Sequence, residues 1–300
     1  MHNMVTGQSE GKRINRQIYM LLILLFPVLL FADNITSKPY TVKNWNTDSG
    51  LPANSIQAIA QNDFLWIGTD AGLIRLAGDS IKTYSMANTS ILESDRILAL
   101  HIDNRNRLWV GTDGGGLYSC HEEEWQKYSL TNNHIKTITS DWNGNVWVGT
   151  GYGLCKLKNG SVERFTIDDG VAGNIITVLE FDSWGNLWIA SLQRGVTKYF
   201  DGNFVIYDGD DGLDNLLIKS LFCDKLGNLY VGTVNGIYQL KSNEALFTKL
   251  PKTDYVPASS FLGKNNAIWL GTINDGLKIL KQNQNINTDI LSNQHINCLL

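Results

Sequence analysis

Leu65-Trp66-Ile67-Gly68-Thr69 is the first of six copies of one short phrase in this chain. The others read Leu108-Trp109-Val110-Gly111-Thr112, Val146-Trp147-Val148-Gly149-Thr150, Leu187-Trp188-Ile189-Ala190-Ser191, Leu229-Tyr230-Val231-Gly232-Thr233 and Ile268-Trp269-Leu270-Gly271-Thr272. Successive aromatics stand 43, 38, 41, 42 and 39 residues apart. A fixed period of roughly 20–50 residues marks a solenoid, a propeller or an array, so the repeat decides the fold before any other signal.

One period reads as four strands. Ile176-Thr177-Val178-Leu179-Glu180-Phe181 is rich in β-formers, and Asp182-Ser183-Trp184-Gly185-Asn186 is a tight turn in which Asp opens the bend and Gly-Asn supplies the positive φ angles. Leu187–Ala190, Val196–Phe200 and Phe204–Tyr207 follow, separated by Gln193-Arg194-Gly195 and by the hairpin turn Asp201-Gly202-Asn203. The Asp-led turn recurs at Asp103, Asp141 and Asp224. It lacks the flanking helices and the twelfth-position Glu of a calcium loop, so it reads as turn chemistry. Helical repeats of similar period fail because turn residues interrupt the pattern every five to eight positions. A four-stranded sheet with two apolar faces needs cover on both, which radial packing about an axis provides. The expected fold is an all-β β-propeller. The Gly after each aromatic is expected where neighbouring sheets approach closely, and the aromatics are expected to pack between blades.

The ends carry further pieces. Residues 40–45, Tyr-Thr-Val-Lys-Asn-Trp, look like an outer strand without its first three, and His295-Ile296-Asn297-Cys298-Leu299-Leu300 looks like an inner strand. Six complete four-stranded blades with these two strands give a seven-bladed plan with an incomplete seventh, lacking its middle. The expectation is a fragment or the product of a truncated gene, weakly closed at that seam. Lys12, Arg13 and Arg16 precede an apolar run from Ile18 to Phe31 that ends at Ala32. A basic start, an apolar stretch of roughly 7–15 residues and a small boundary residue make a secretory signal; crossing a bilayer takes about 20 apolar residues. An uncleaved anchor is the alternative, because Leu30 is large for a processing site. The chain therefore divides into a signal peptide (1–32), a linker (33–39) and a propeller (40–300), and is expected in the periplasm or another extracytoplasmic space.

With 25 basic and 29 acidic residues the net charge is −4, which argues against a nucleic-acid partner. Membrane contact is expected only through the signal or a further segment. Cys120, Cys155, Cys223 and Cys298 fall in separate repeats with no paired spacing and read as small buried hydrophobes; a Cys120–Cys155 bridge is the alternative. No nucleophile elbow, P-loop, His-Glu-x-x-His or dinucleotide fingerprint occurs. No enzyme activity, catalytic residue, metal or cofactor is therefore expected. His101 reads as a packed strand residue and Glu122-Glu123-Glu124 as a solvated turn.

Leu-Trp-Ile-Gly-Thr-x-x-Gly-Leu at 65–73, with a stretch close to Asp-Gly-Leu-x-x-Asn at 48–56, resembles the two-component regulator propeller repeat. The resemblance covers nearly everything after residue 40. It implies a periplasmic sensor region of the kind found in hybrid histidine kinases, with oligosaccharides as ligands in several members, and usually a second propeller, a β-sandwich, a membrane helix and cytoplasmic signalling modules. This sequence carries none of those later parts, so a downstream sensor-kinase module, or a second copy forming a homodimer, is the expected protein partner.

A propeller gathers loops at the ends of its channel. The loops between strands two and three contribute Asp70, Asp113, Tyr152, Gln193, Arg194, Asn235, Asn274 and Asp275, and these are the candidate ligand-binding residues. The connections between blades are expected on the same face, with Asn54, Asp95, Asn133, His134, Asn174, Asn215 and His295. Carboxylates and amides with Arg194 as the only cation suit a neutral polyhydroxylated ligand. The expected function is extracytoplasmic ligand sensing, with an oligosaccharide as ligand class. A structural or protein-docking propeller is the main alternative, and a propeller lyase or hydrolase built on Asp70, Asp113 and Asp275 the lesser one.

Overall fold

In the computed structural model, residues 44–264, 267–281, 285–290 and 295–300 are described. The signal at 1–32, the linker at 33–39 and most of the expected outer strand at 40–45 lie outside the described residues. The six periods fold as six antiparallel four-stranded sheets, each in sequential order. Blade one comprises β1 (Ile56–Gln61), β2 (Leu65–Thr69), β3 (Gly72–Ala77) and β4 (Ser80–Tyr84). Blades two to six span 97–128, 135–165, 176–207, 218–249 and 258–290. Helix among the described residues amounts to three single turns of 3-10 geometry. The innermost strands of successive blades adjoin one another from blade one to blade six, which is the radial arrangement.

The repeated phrase is the second strand of each blade, and each of its letters has a physical duty. In blades two, three and four every residue of the phrase is buried. A buried indole removes roughly 150–250 Å² from water, about 4–6 kcal/mol at 25 cal/mol per Å². In blades one to five the aromatic also has a polar anchor in the turn before it: Trp109 donates to Asp103 at 2.8 Å, Trp147 to Asp141 at 3.3 Å and Trp188 to Asp182 at 3.2 Å. In blade five the Tyr230 hydroxyl donates to Asp224 at 3.4 Å, and in blade one Trp66 reaches Asn62 at 3.1 Å. The same carboxylates accept the backbone N–H groups two and four residues on. In the turns of blades three to five the positive φ belongs to Gly alone, at Gly144, Gly185 and Gly227; in blade two Asn106 adopts it. The Asn that follows each of these glycines instead donates its side chain to the Asp, which differs from the shared Gly-Asn duty expected from sequence.

The glycine of the phrase is the point of closest approach between blades. A Cβ on Gly68, Gly111 or Gly149 would come within 2.5–2.7 Å of the first Ile of the next inner strand, Ile97, Ile135 or Ile176, or of a neighbouring Thr137 methyl. The closing Thr folds its hydroxyl back onto the strand-three Gly carbonyl, as Thr69 on Gly72, Thr150 on Gly153 and Thr233 on Gly236. The linking segments with Asp-Gly-Leu character form the 3-10 turns. Asn46, Thr166 and Asp208 cap them, and Gly50, Gly170 and Gly212 end them at positive φ. Leu51, Val171 and Leu213 then plug into the core.

The expected incomplete seventh blade takes a small form. Residues 295–300 form no strand ladder, but Ile296 meets Gly271 as Ile135 meets Gly111, and its N–H donates to Thr272 at 2.9 Å. Asn297 donates to the Ile56 carbonyl at 2.7 Å. Leu299 packs on blade six, and Cys298 and Leu300 on blade one. This segment bridges the first and last blades in the place of an inner strand. All four cysteines are free. Burial pushes the Cys120 and Cys155 thiols up to about 11, so they are inert packing residues.

Candidate functional site

The loops between strands two and three and the segments entering each inner strand share one face, because they hydrogen-bond to each other. Asp113 N–H donates to Arg96, Gly151 N–H to His134, Leu192 N–H to Ile175 and Ile273 N–H to Pro257. An isolated bridge joins Asp113 to His134. The face expected from sequence is therefore the face observed.

On it, blades one to three hold a continuous arc of polar side chains. Gln57 donates to Asp70 at 3.1 Å. Arg96 reaches Asp70 through Nε at 3.1 Å and Asp113 through Nη1 at 2.6 Å. The other Asp113 oxygen meets His134 Nδ1 at 2.5 Å. Burial pushes the Asp70 carboxyl up, but hydrogen bonds from Ser55, Arg96 and Gln57 outweigh it and hold the group below its ordinary value. The hydrogen bond from His134, with help from the Arg96 charge, holds Asp113 down as well. The result is a set of ionised carboxylates, a guanidinium and an imidazole open to solvent, able to exchange hydrogen bonds with hydroxyls without moving a proton.

The structure brings only Asp70 and Asp113 of the eight candidates together. Tyr152 is exposed and lies under the Arg164 guanidinium, 4.5 Å from the ring centroid. Gln193 adopts φ 56 at the tip of its turn. Arg194 lies against Gly173. Asn235 uses its backbone to hold Tyr255, and Asn274 is exposed. Asp275 faces Lys278 at 3.7 Å. No side-chain hydrogen bond or ion pair joins these six to one another among the described residues. Arg194 is not the only cation, as sequence suggested: Arg96, Arg164 and Lys278 also serve this face. Arg96 was missed because it lies just before an inner strand, a position filled in other blades by Ser55, His134, Ile175 and Leu217; alignment of the blades at that position would have exposed it.

Several inter-blade residues do structural work. Asn54 accepts from Thr47 N–H at 2.9 Å and Asn174 from Ile167 N–H at 3.0 Å, each pinning a 3-10 turn. Asp95 accepts from Met86 N–H and Asn215 from Leu217 N–H. His101 lies in an inner strand, as expected, with Nε2 at 2.8 Å from Ser140 Oγ, and burial pushes its pKa down to about 4. Glu123 is more than a solvated turn. It binds Arg75, Lys82 and the Tyr84 hydroxyl, and so stitches blade two to blade one. Among the described residues no group of three or more His, Cys, Asp or Glu could hold a metal ion, and no helix is long and apolar enough to cross a membrane.

Comparison with known proteins agrees with this geometry. The sequence profile of the two component regulator propeller matches residues 50–71 and 91–114. No curated protein sequence matches the chain. Among solved structures, an extracellular domain described as that of a hybrid two component system from B. thetaiotaomicron, BT4673, is similar with a TM-score of 0.72 and 21% identity over 82% of this chain. A second from the same organism, BT3049, gives 0.71 and 22% over 83%. Virginiamycin B lyase from Staphylococcus aureus gives 0.65 and 15% over 78% of this chain and 83% of its own. The chain spans 38% and 36% of the first two structures. At these identities the likeness establishes the fold. The chain is thus an all-β propeller in which residues 50–71 and 91–114 match the two component regulator propeller repeat.

Proposed function

We propose that this chain is the ligand-sensing propeller of an extracytoplasmic receptor, not an enzyme, and that its ligand is an oligosaccharide. The observation that carries the proposal is the Asp70–Arg96–Asp113–His134 arc, four polar groups from three blades converging on one open face. Sugar hydroxyls both donate and accept, so a mixed array of carboxylate, guanidinium and imidazole matches them on both counts. Tyr152, Gln193, Arg194, Asn235, Asn274 and Asp275 stand on the same face as outer contacts. The repeat family, the basic and apolar N-terminus and the similarity to extracellular domains support an export-competent sensor. A downstream kinase module or a second copy of the chain would read the bound state.

Calorimetric titration of the protein with neutral oligosaccharides tests this. Binding that weakens in Asp113→Asn and Arg96→Ala supports it. Binding insensitive to every residue of this face, or turnover of an oligosaccharide, refutes it. Turnover abolished by Asp113→Asn would favour the lyase or hydrolase reading, for which the similarity to virginiamycin B lyase supplies only a fold.

A further inference from the structure

The turns between strands one and two occupy the opposite face, and two of them carry side chains that their backbones do not need. The turn framework uses Asp, Gly and Asn, as at Asp141, Gly144 and Asn145. The side chains between them are free of backbone duty, and small polar types normally fill such tips. Blade three instead has Trp142, 72% exposed, and blade four Trp184, 58% exposed. Trp109, Trp147 and Trp188 are buried with their indole N–H groups bonded to Asp; neither tip indole N–H has a hydrogen bond among the described residues. Exposed apolar side chains that stand together, and not singly, mark recognition surfaces.

Both tips are tied to a neighbouring blade, Trp184 by its ring and Trp142 by its backbone carbonyl. Trp184 lies across the Gly227 backbone of the blade five turn, where an added Cβ would come within 1.8 Å of the ring. The Trp142 carbonyl accepts from Asn104 of blade two at 3.4 Å. Between Trp142 and Trp184 lies a cleft of about 270 Å³, also lined by Trp147, Tyr199, Asn143 and Lys156. That volume sits just under the roughly 300–1,000 Å³ of drug-sized sites, which suits one or two sugar rings. A pyranose has an apolar C–H face and a rim of hydroxyls. The indoles match the face, and the Asn143 amide and Lys156 ammonium match the rim.

We propose that the Trp142–Trp184 cleft is a saccharide-stacking site, separate from the Asp70–Arg96–Asp113–His134 arc. It shares with the proposed function the ligand class alone. Leu226, exposed in the blade five turn, extends the apolar tips into a row, so self-association is the outcome to be distinguished. The full chain is titrated by calorimetry with maltotetraose, cellotetraose, xylotetraose and mannotetraose at about 10 mM, tenfold above a Kd of about 1 mM, and its oligomeric state is measured in parallel. At least one tetrasaccharide binds the wild type. Trp142→Ala and Trp184→Ala each weaken it roughly tenfold, Trp142→Ala with the unfolding midpoint unchanged, and Trp142→Phe restores part of the loss. Binding that survives both alanine variants but is lost in Asp113→Asn overturns the cleft and leaves the sensing proposal standing. Absence of binding by the wild type to all four sugars overturns the cleft, as does a dimer that Trp142→Ala dissolves.

Discussion

Gly111→Ala is the sharpest test of how the blades meet. Gly111 lies near the end of the second strand of blade two, and its missing side chain faces the first residue of the blade three inner strand. A Cβ there would stand 2.5 Å from Ile135 Cγ2, 2.9 Å from Ile135 Cβ and 3.2 Å from Ile138 Cδ1, closer than van der Waals contact allows. Both partners sit in hydrogen-bonded strands, so neither backbone can retreat freely. Overpacking of this kind costs about 1–3 kcal/mol. Ile135 is fully buried, and Ile135→Ala alone should cost about 2–5 kcal/mol through its cavity. The double variant is the informative one. The methyl introduced at position 111 occupies the space vacated by Cγ2, so the combined loss should fall short of the sum of the two by about 1–2 kcal/mol. Blade four already shows that a methyl is tolerated in this position when its surroundings are matched, because Ala190 is fully buried there. Urea unfolding of the four proteins, analysed by linear extrapolation, measures the cycle. Additivity within about 0.5 kcal/mol, or a neutral Gly111→Ala, would refute the close approach of blades two and three.

Further expectations concern the charged groups. Asp103 is buried and accepts from Arg105 N–H, Arg107 N–H, Arg107 Nε and Trp109 Nε1; Asp103→Ala should cost about 3 kcal/mol by leaving these donors unpaired, read from urea midpoints. Burial pushes the Asp103 carboxyl up, but those bonds outweigh it and set the group below its ordinary 3.8. Its contribution is therefore present above that value and lost as pH falls through the lower folded one, and Asp103→Asn should flatten the acid limb of a pH–stability curve. Glu180 behaves oppositely: burial raises its carboxyl from 4.5 to about 7, so stability present below pH 4.5 is lost as pH rises through 7, on the order of 3 kcal/mol at 1.36 kcal/mol per unit. Glu180→Gln should remove the difference between unfolding midpoints at about pH 5 and about pH 8. Arg96→Ala should change stability by less than about 1 kcal/mol, because its ion pairs are exposed, while still weakening ligand binding; a large stability loss would mark the arc as a structural clamp.

The fold was legible because the repeat obeys constraints that recur in every blade. Each strand second from the axis must be buried on both faces, so its apolar residues run without polar alternation and the phrase stands out. The Asp six residues before the aromatic of blades two to five, at 103, 141, 182 and 224, is nearly as periodic, yet it reads in sequence as turn chemistry alone because its bond to the aromatic side chain is a contact across a turn. The face of the candidate site was also legible, since strand order dictates where loops emerge. Its membership was not. Whether Asp70 meets Arg96 or Asn54 pins Thr47 depends on side-chain directions that vary between blades of the same backbone plan. Arg96 and Glu123 gain their partners from neighbouring blades, 26 and 48 positions away in the chain from Asp70 and Arg75, and no local pattern encodes such pairs.

These differences follow from which atoms the ring requires. On the channel face, backbone bonds such as Gly114 N–H to Asn133 and Gly151 N–H to His134 tie loops to inner-strand entries, so side chains there must serve closure before they can serve a ligand, as Asn54, Asn174 and Asn215 do. On the opposite face one Asp satisfies a whole turn, accepting two backbone N–H groups, an Asn amide and an indole N–H at Asp141 and again at Asp182. The intervening side chains carry no such duty and vary from blade to blade, as Asn104-Arg105, Trp142-Asn143, Ser183-Trp184 and Lys225-Leu226. Variation concentrated where the framework is indifferent is what selection for recognition can act on without disturbing the ring. That asymmetry makes the turn face, and not only the channel mouth, a surface on which a propeller of this kind can acquire a ligand.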